Sequence, residues 1–321
     1  MKRFPLTVLT AALALAPLLG HAQVFPEKSI TFVVPFAAGT ATDQIARALG
    51  NSITAETKQP VIIDNKAGAS GFIASQNVAK AAADGYTVLI TTNTTHAANE
   101  HLFKKLPYDP VKDYAPIAAL GKGGQIMVVN PSFPAKSVAE FVALAKKEPG
   151  KYSFGSGSSS SRMAGELLQQ MADIKLLHVP YKSNTLAVTD LLGGQIHMMI
   201  TDTATGLPQV KGGKLRALGV SSAARSPLAP DVPTISEAGV KGYEMGYWFA
   251  AYAPAKTPPA VVKRLNELLV KAAKSESAKT AFYEPTGTEV FTTSPEELAK
   301  FQTAESQKWG RIVKAAGIEA E

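Results

Sequence analysis

The chain of 321 residues contains no cysteine. That excludes disulfides, thiolate catalysis and cysteine-held metals or clusters. Beyond Ala22 no apolar run is long enough to cross a bilayer, for which about 20 residues are needed. There is no H-E-x-x-H pair and no Walker A loop, and Ala67-Gly68-Ala69-Ser70-Gly71 is not a G-x-G-x-x-G fingerprint. The stretch Gly155-Ser156-Gly157-Ser158-Ser159-Ser160-Ser161 does not match the G-x-S-x-G nucleophile elbow. His96 and His101 stand five apart, a poor spacing for one helical face, and no third metal ligand lies nearby. No catalytic residue, metal site or cofactor is therefore expected. The formal charge of +7 is scattered. Clusters such as Lys104-Lys105 and Lys146-Lys147 are short and lack interleaved aromatics, which reads as solvated surface and not as a nucleic-acid face.

What is present begins with an export signal. Lys2 and Arg3 form a positive n-region, residues 6–19 an apolar core, and Gly20-His21-Ala22 a small-residue cleavage site. The expectation is a periplasmic protein cleaved after Ala22, with Gln23 as the mature start. A membrane anchor is the alternative, but the run is short and broken by Pro5 and Pro17. Without Lys2 and Arg3 the charge is +5.

The most informative stretch is 31–47, TFVVPFAAGTATDQIAR. Residues 31–36 read as a strand buried on both faces. Ala37-Ala38-Gly39-Thr40-Ala41 is a small-residue turn that lets a ligand approach the backbone. Thr42 and Asp43 stand as N-cap and first-turn residues of a helix carrying Ile45, Ala46 and Leu49. Such a helix start presents unpaired N–H groups and a positive dipole end to an anion.

Strand-like and helix-like segments then alternate. Strands are predicted at 61–65 and 87–92, the latter running into Asn93-Thr94-Thr95-His96. Parallel pairing is expected from this βαβαβ order. Residues 117–120 and 126–130 read as two strands around Gly121, Gly123 and Gly124, where the chain crosses into a second domain. That domain repeats the pattern, with strands at 152–156, 177–179, 197–201 and 215–220. The aromatic run 243–252 is the return crossing. Ser137 with Glu140, and Ser294-Pro295-Glu296-Glu297, read as capping boxes. Thr257-Pro258 opens another helix with Pro at its first position. The expected fold is α/β, with two domains, each a mostly parallel sheet flanked by helices. The first comprises 23–121 and 248–321, the second 122–247.

Ligands sit at strand carboxyl ends in such sheets. Three loops there are rich in small hydrogen-bonding groups. The first supplies Phe36, Ala38, Gly39, Thr40, Thr42 and Asp43. The second supplies Thr92, Asn93, Thr95 and His96. The third supplies Ser156, Gly157, Ser158, Ser159, Ser160 and Arg162, whose guanidinium fork suits a carboxylate. Asp202 is either a ligand contact or the cap of the helix beside it. His178 reads as a structural or rim residue. Tyr181, Tyr247 and Trp248 are candidates for an aromatic wall, Trp248 and Phe249 also for core.

Taken together, VPFAAGTATDQIAR, VIIDNKAGASG, AADGYTVLITTNTTHA, LPYDPVKDYAPIA, VNPSFPAKS, HVPYKS, DLLGGQIHMM, KGGKLRALGV and PDVPTISEAGVKGYE identify a resemblance covering essentially all of the mature chain. The sequence resembles the extracytoplasmic solute-binding receptors of the tripartite tricarboxylate transporters, the Bug-type receptors. The resemblance implies a two-domain periplasmic-binding-protein fold that closes like a flytrap on a small carboxylate held by these three loops. It also implies delivery to a membrane permease of that transporter type. Ser70, Phe72, Arg162 and Ser183 depart from the common pattern, which has Gly, Asn, His and Gly there. The ligand remains open among di- or tricarboxylates, amino acids and aromatic carboxylates. A ligand-dependent signalling receptor and an exported serine hydrolase are the rival readings, and a monomer is the default.

Overall fold

A computed structural model describes residues 25–315 and 317–320. The signal segment lies outside the described residues. The chain opens with β1 (Ile30–Val34), α1 (Ala41–Thr57), β2 (Val61–Asn65), α2 (Phe72–Ala79) and β3 (Thr87–Thr92). β1 and β3 are almost wholly buried, as apolar strands covered on both faces must be. A wide turn over Thr94–Ala98 leads into the short α3 (Asn99–Leu102).

Next comes β4 (Tyr114–Val129), a single strand of 16 residues. The three glycines that read as a break between two strands lie inside it. They stay extended because a later strand pairs with them, Gly121 with Phe249, Gly123 with Tyr247 and Gly124 with Gly246, and a Cβ on Gly123 would lie 2.5 Å from the Tyr247 hydroxyl. The second half of the chain supplies α4 (Val138–Lys147), β5 (Ser153–Ser156), α5 (Ser159–Ala172), β6 (Leu177–Pro180), α6 (Asn184–Leu192), β7 (Met198–Asp202), α7 (Thr203–Lys211) and β8 (Arg216–Val220). The return is β9 (Gly246–Pro254), followed by α8 (Pro259–Ala273), short turns α9 (Glu276–Ala278) and α10 (Glu284–Thr286), and α11 (Pro295–Ala315).

Among the described residues the strands run β2-β1-β3-β9-β4-β7-β5-β6, with β8 also on β4. The N-terminal part of β4 pairs with β9, and residues 125–129 pair with β7 and β8, so one strand is shared by both halves of the sheet. The expected parallel pairing holds for β1 with β2 and β3, and for β5 with β6 and β7. The crossing strands add antiparallel pairs, β9 with β3 and β4, and β4 with β7 and β8.

One core packs Phe32, Leu49, Leu265 and Leu269 beneath α1 and α8. Another joins Phe141, Phe154, Trp248 and Trp309 across both halves. Burying each such side chain stabilises by about 1.5–3 kcal/mol. The capping box opening α11 is reciprocal, Glu297 N–H donating to Ser294 Oγ and Ser294 N–H to Glu297 Oε2. At α4, Glu140 instead accepts from Lys136 N–H. The Pro-led helix starts one residue later than expected, at Pro259.

Candidate functional site

The first loop is shaped from behind. Gly39 takes a φ of 81°, open to glycine at no steric cost. Its N–H donates to Asp43 Oδ2 at 2.8 Å, Asn65 donates to Asp43 Oδ1 at 3.0 Å, and Arg47 closes an ion pair at 2.9 Å. Burial alone would raise the Asp43 pKa, but hydrogen bonds from Arg47, Gly39 and Asn65 outweigh it and hold the carboxyl below its ordinary 3.8. Asp43 thus braces the loop and is not among the described residues lining the two cavities below; Ala38 and Gly39 are exposed. The N-cap of α1 is Thr40, two residues before the position expected from sequence, because its extended backbone precedes the first helical residue. Its hydroxyl donates to Ala37 O at 2.8 Å and does not cap the helix.

The second loop divides. Thr92, Asn93 and Thr94 line an inner pocket. Thr95 and His96 do not. The Thr95 hydroxyl bonds the Thr91 hydroxyl at 2.6 Å and His96 Nδ1 at 2.8 Å. His96 is fully buried and stacks on Tyr252 at 3.9 Å. Burial pushes its pKa down to about 3, so it is a neutral core residue. The wide turn rotates these two side chains inward, which the polar run of the sequence does not reveal.

In the third loop the hydroxyls are engaged. Ser158 caps α5 by accepting from Ser161 N–H. Ser159 donates to Asn99 Oδ1 at 2.8 Å and Ser160 to Asn93 Oδ1 at 2.9 Å, both on the far side of the cleft. Gly157 N–H donates to Asn184 Oδ1 at 3.0 Å, and a Cβ on Gly157 would fall 1.8 Å from the Ser183 carbonyl carbon. Ser156 Oγ lies 2.7 Å from His178 Nε2.

Two adjoining cavities result, with Phe36, Gly157 and Ser158 lining both. The inner pocket, about 40 Å³, gathers Thr40, Ala41 and Thr42 at the start of α1 with Ser158, Asn184 and Asp202 at the starts of α5, α6 and α7. Four positive helix ends therefore converge on it. Three have side-chain caps, from Ser158, Ser183 and Asp202; α1 has none. Among the described lining residues no Lys, Arg or His is present, and Asp202 carries the charge. Asp202 does cap its helix, Oδ1 accepting from Thr205 N–H at 2.8 Å, and also faces the pocket. The outer chamber, about 290 Å³, is the reverse: Arg162, Lys182 and His178 line it, and among the described lining residues there is no carboxylate. Arg162 Nε lies 3.8 Å from Glu166. Tyr181 joins this chamber, and Tyr247 the inner pocket; Trp248 packs in the core with its indole N–H on Glu305.

Sequence reasoning missed Gln125 and Asn184. Gln125 is a lone amide opening an apolar strand, and Asn184 follows a helix cap; these are the signals available. Among the described residues no group of three metal-ligating side chains occurs. No helix among them is long and apolar enough to cross a membrane.

A family model described as "Tripartite tricarboxylate transporter family receptor" matches residues 45–318. The chain belongs to this family. It is 33% identical over 313 residues to BugT of Bordetella pertussis, covering 97% of this chain and 95% of that one. Among solved structures it is similar to an R. palustris protein with adipate (34% identity, TM-score 0.89, 92% of this chain and 100% of that one). It is also similar to the periplasmic binding protein BugD (32%, 0.88, 92% and 100%). MatC of Rhodopseudomonas palustris with bound malate is a further likeness (31%, 0.85, 90% and 100%). The receptor thus shares the two-domain periplasmic-binding-protein fold of the Bug-type family.

Proposed function

We propose that this receptor is exported, cleaved after Ala22, and captures a small carboxylate in the periplasm without chemically changing it. The lobes 23–121 with 248–321, and 122–247, close on the ligand about the shared strands β4 and β9. The loaded monomer then delivers it to a permease of the tripartite tricarboxylate transporter type. One observation carries this reading: α1 opens into the inner pocket with no side-chain cap. Its first N–H groups have no intrahelical acceptor, and the helix dipole favours negative charge there. A carboxylate of the ligand sits against the N–H groups of residues 41–43. The wall formed by Arg162 and Lys182 receives a second anionic group in longer ligands. Closure is favoured because only the closed form brings both lobes to the ligand.

The experiment is thermal unfolding of the purified receptor against a panel of carboxylates: citrate, malate, succinate, aspartate, glutamate, nicotinate and terephthalate. A ligand at 100 times its Kd stabilises by about 2.7 kcal/mol, a rise of several degrees. The expected result is a rise confined to one or two related acids. A flat panel from protein that mass spectrometry finds empty contradicts the reading.

In the 156–162 loop, the Ser156–His178 contact at 2.7 Å is a feature that would serve a hydrolase. Ester turnover abolished in Ser156→Ala would establish that activity; the receptor reading expects no turnover.

A further inference from the structure

Gln125 and Asp202 face each other directly across the antiparallel pair β4–β7. Side chains at opposed positions of such a pair point to the same face. Asp202 lines the inner pocket, so Gln125 is aimed there too, and it also lines that pocket. Gln125 is 1% exposed, and its side-chain oxygen has no hydrogen-bond partner. A buried carbonyl left unpaired is costly, and native structures rarely keep one without a use. Its main-chain N–H donates to Ser221 Oγ at 2.6 Å.

Asp202 poses the same question in charge. It is nine-tenths buried, and no Lys, Arg or His joins it among the described lining residues. Its partners are neutral: Asn184 Nδ2 at 2.9 Å, Thr205 N–H at 2.8 Å and the Thr201 hydroxyl at 3.4 Å. A plain carboxylate ligand would place a like charge beside it. A ligand that also carries a cation or donor at this point would answer both groups.

Resting on the receptor reading above, we propose that Gln125 and Asp202 form an acceptor pair that selects an amino-carboxylate. The carboxylate lies on the start of α1, and the protonated amine of the same ligand donates to Gln125 Oε1 and Asp202. Gln125 is then a specificity-determining residue, and an unsubstituted diacid is a poor ligand.

The test is calorimetric titration of the purified receptor with ligands matched in length: succinate, malate and aspartate, then glutarate, 2-hydroxyglutarate and glutamate. The proposal expects the amino compound of one series to bind at least tenfold more tightly than its unsubstituted diacid, the strength of a charge-assisted hydrogen bond. The hydroxy compound falls between them. In Gln125→Met, close in volume, and in Asp202→Asn, which keeps a capping oxygen, that ladder collapses, because the amino compound loses an acceptor and, in Asp202→Asn, the diacid no longer meets a like charge. Equal binding of diacid and amino acid, or a preference for the hydroxy compound, overturns the proposal and leaves the receptor reading standing. A ladder that survives unchanged in Gln125→Met removes Gln125 from it. Failure of every carboxylate to bind overturns the receptor reading itself.

Discussion

The loop at 36–43 and the loop at 156–162 look alike in sequence, both small, polar and ahead of a helix. The structure uses them differently. The first is braced from outside, by Asp43, Asn65 and Arg47, and leaves the start of α1 uncapped toward the pocket. The second directs its hydroxyls to its own helix and to Asn93 and Asn99 across the cleft. Hydroxyl density is thus a poor guide to ligand contact. On the reading proposed above, the mark of the anion site is a helix end whose donors remain unanswered. On the same reading the serine loop is both a pocket wall, through Ser158 and Ser160, and a clasp, through the bonds of Ser159 to Asn99 and Ser160 to Asn93.

The comparison is broken most severely at Gly157. Gly157→Ala drives a Cβ into backbone at Ser183 and Asn184. Such overpacking against backbone costs about 3 kcal/mol or more. Urea unfolding should show that loss, together with loss of ligand binding.

Next is the brace. Asp43→Ala leaves the Gly39 N–H and Arg47 without their acceptor, a loss of about 1–3 kcal/mol. Asp43 also gives a pH signature. Its pKa is lowered on folding, so its contribution is complete above the unfolded value near 3.8 and fades as pH falls through the folded one. Acid unfolding of Asp43→Asn should therefore be shallower below about pH 4 than that of the parent. A parallel acid limb would show that the brace carries no such linkage.

The clasp comes third. Ser160→Ala removes the bond to Asn93 and a longer one to Thr94, at a cost of about 0.5–1.5 kcal/mol. Affinity should fall roughly 2- to 10-fold for every ligand alike, because closure and not recognition is weakened. An effect on one ligand class alone would give Ser160, which also lines the inner pocket, a direct part in recognition.

The smallest effect is expected at the outer wall. Arg162 is partly exposed and near Glu166, so Arg162→Ala should weaken dicarboxylates by under about 1 kcal/mol, more at low salt, and spare monocarboxylates.

Much of the fold was legible. Apolar β-branched runs gave β1 and β3, and Ser294 with Glu297 gave the start of α11. The continuity of β4 was not, because glycine signals a turn unless a neighbouring strand holds it extended, as β9 does. His96 was misread for a related reason: one turn of wide helix decides whether a polar run faces ligand or core. Asp202 was open between cap and pocket, and its two oxygens allow it both places. Gln125 was invisible because its meaning lies in a cross-strand partner 77 positions away in the chain.

The central claim is that a carboxylate rests on the bare start of α1. Ala41→Pro tests it most directly. Proline is well tolerated at the first helical position, and Thr40, at φ −74° and ψ 161°, already has the backbone that precedes proline. The substitution deletes one N–H and leaves the helix intact. Calorimetric titration with any carboxylate the parent binds should show affinity reduced about 10- to 150-fold, the worth of one charge-assisted contact, with the unliganded Tm unchanged. Undiminished affinity in a folded Ala41→Pro protein would contradict the account.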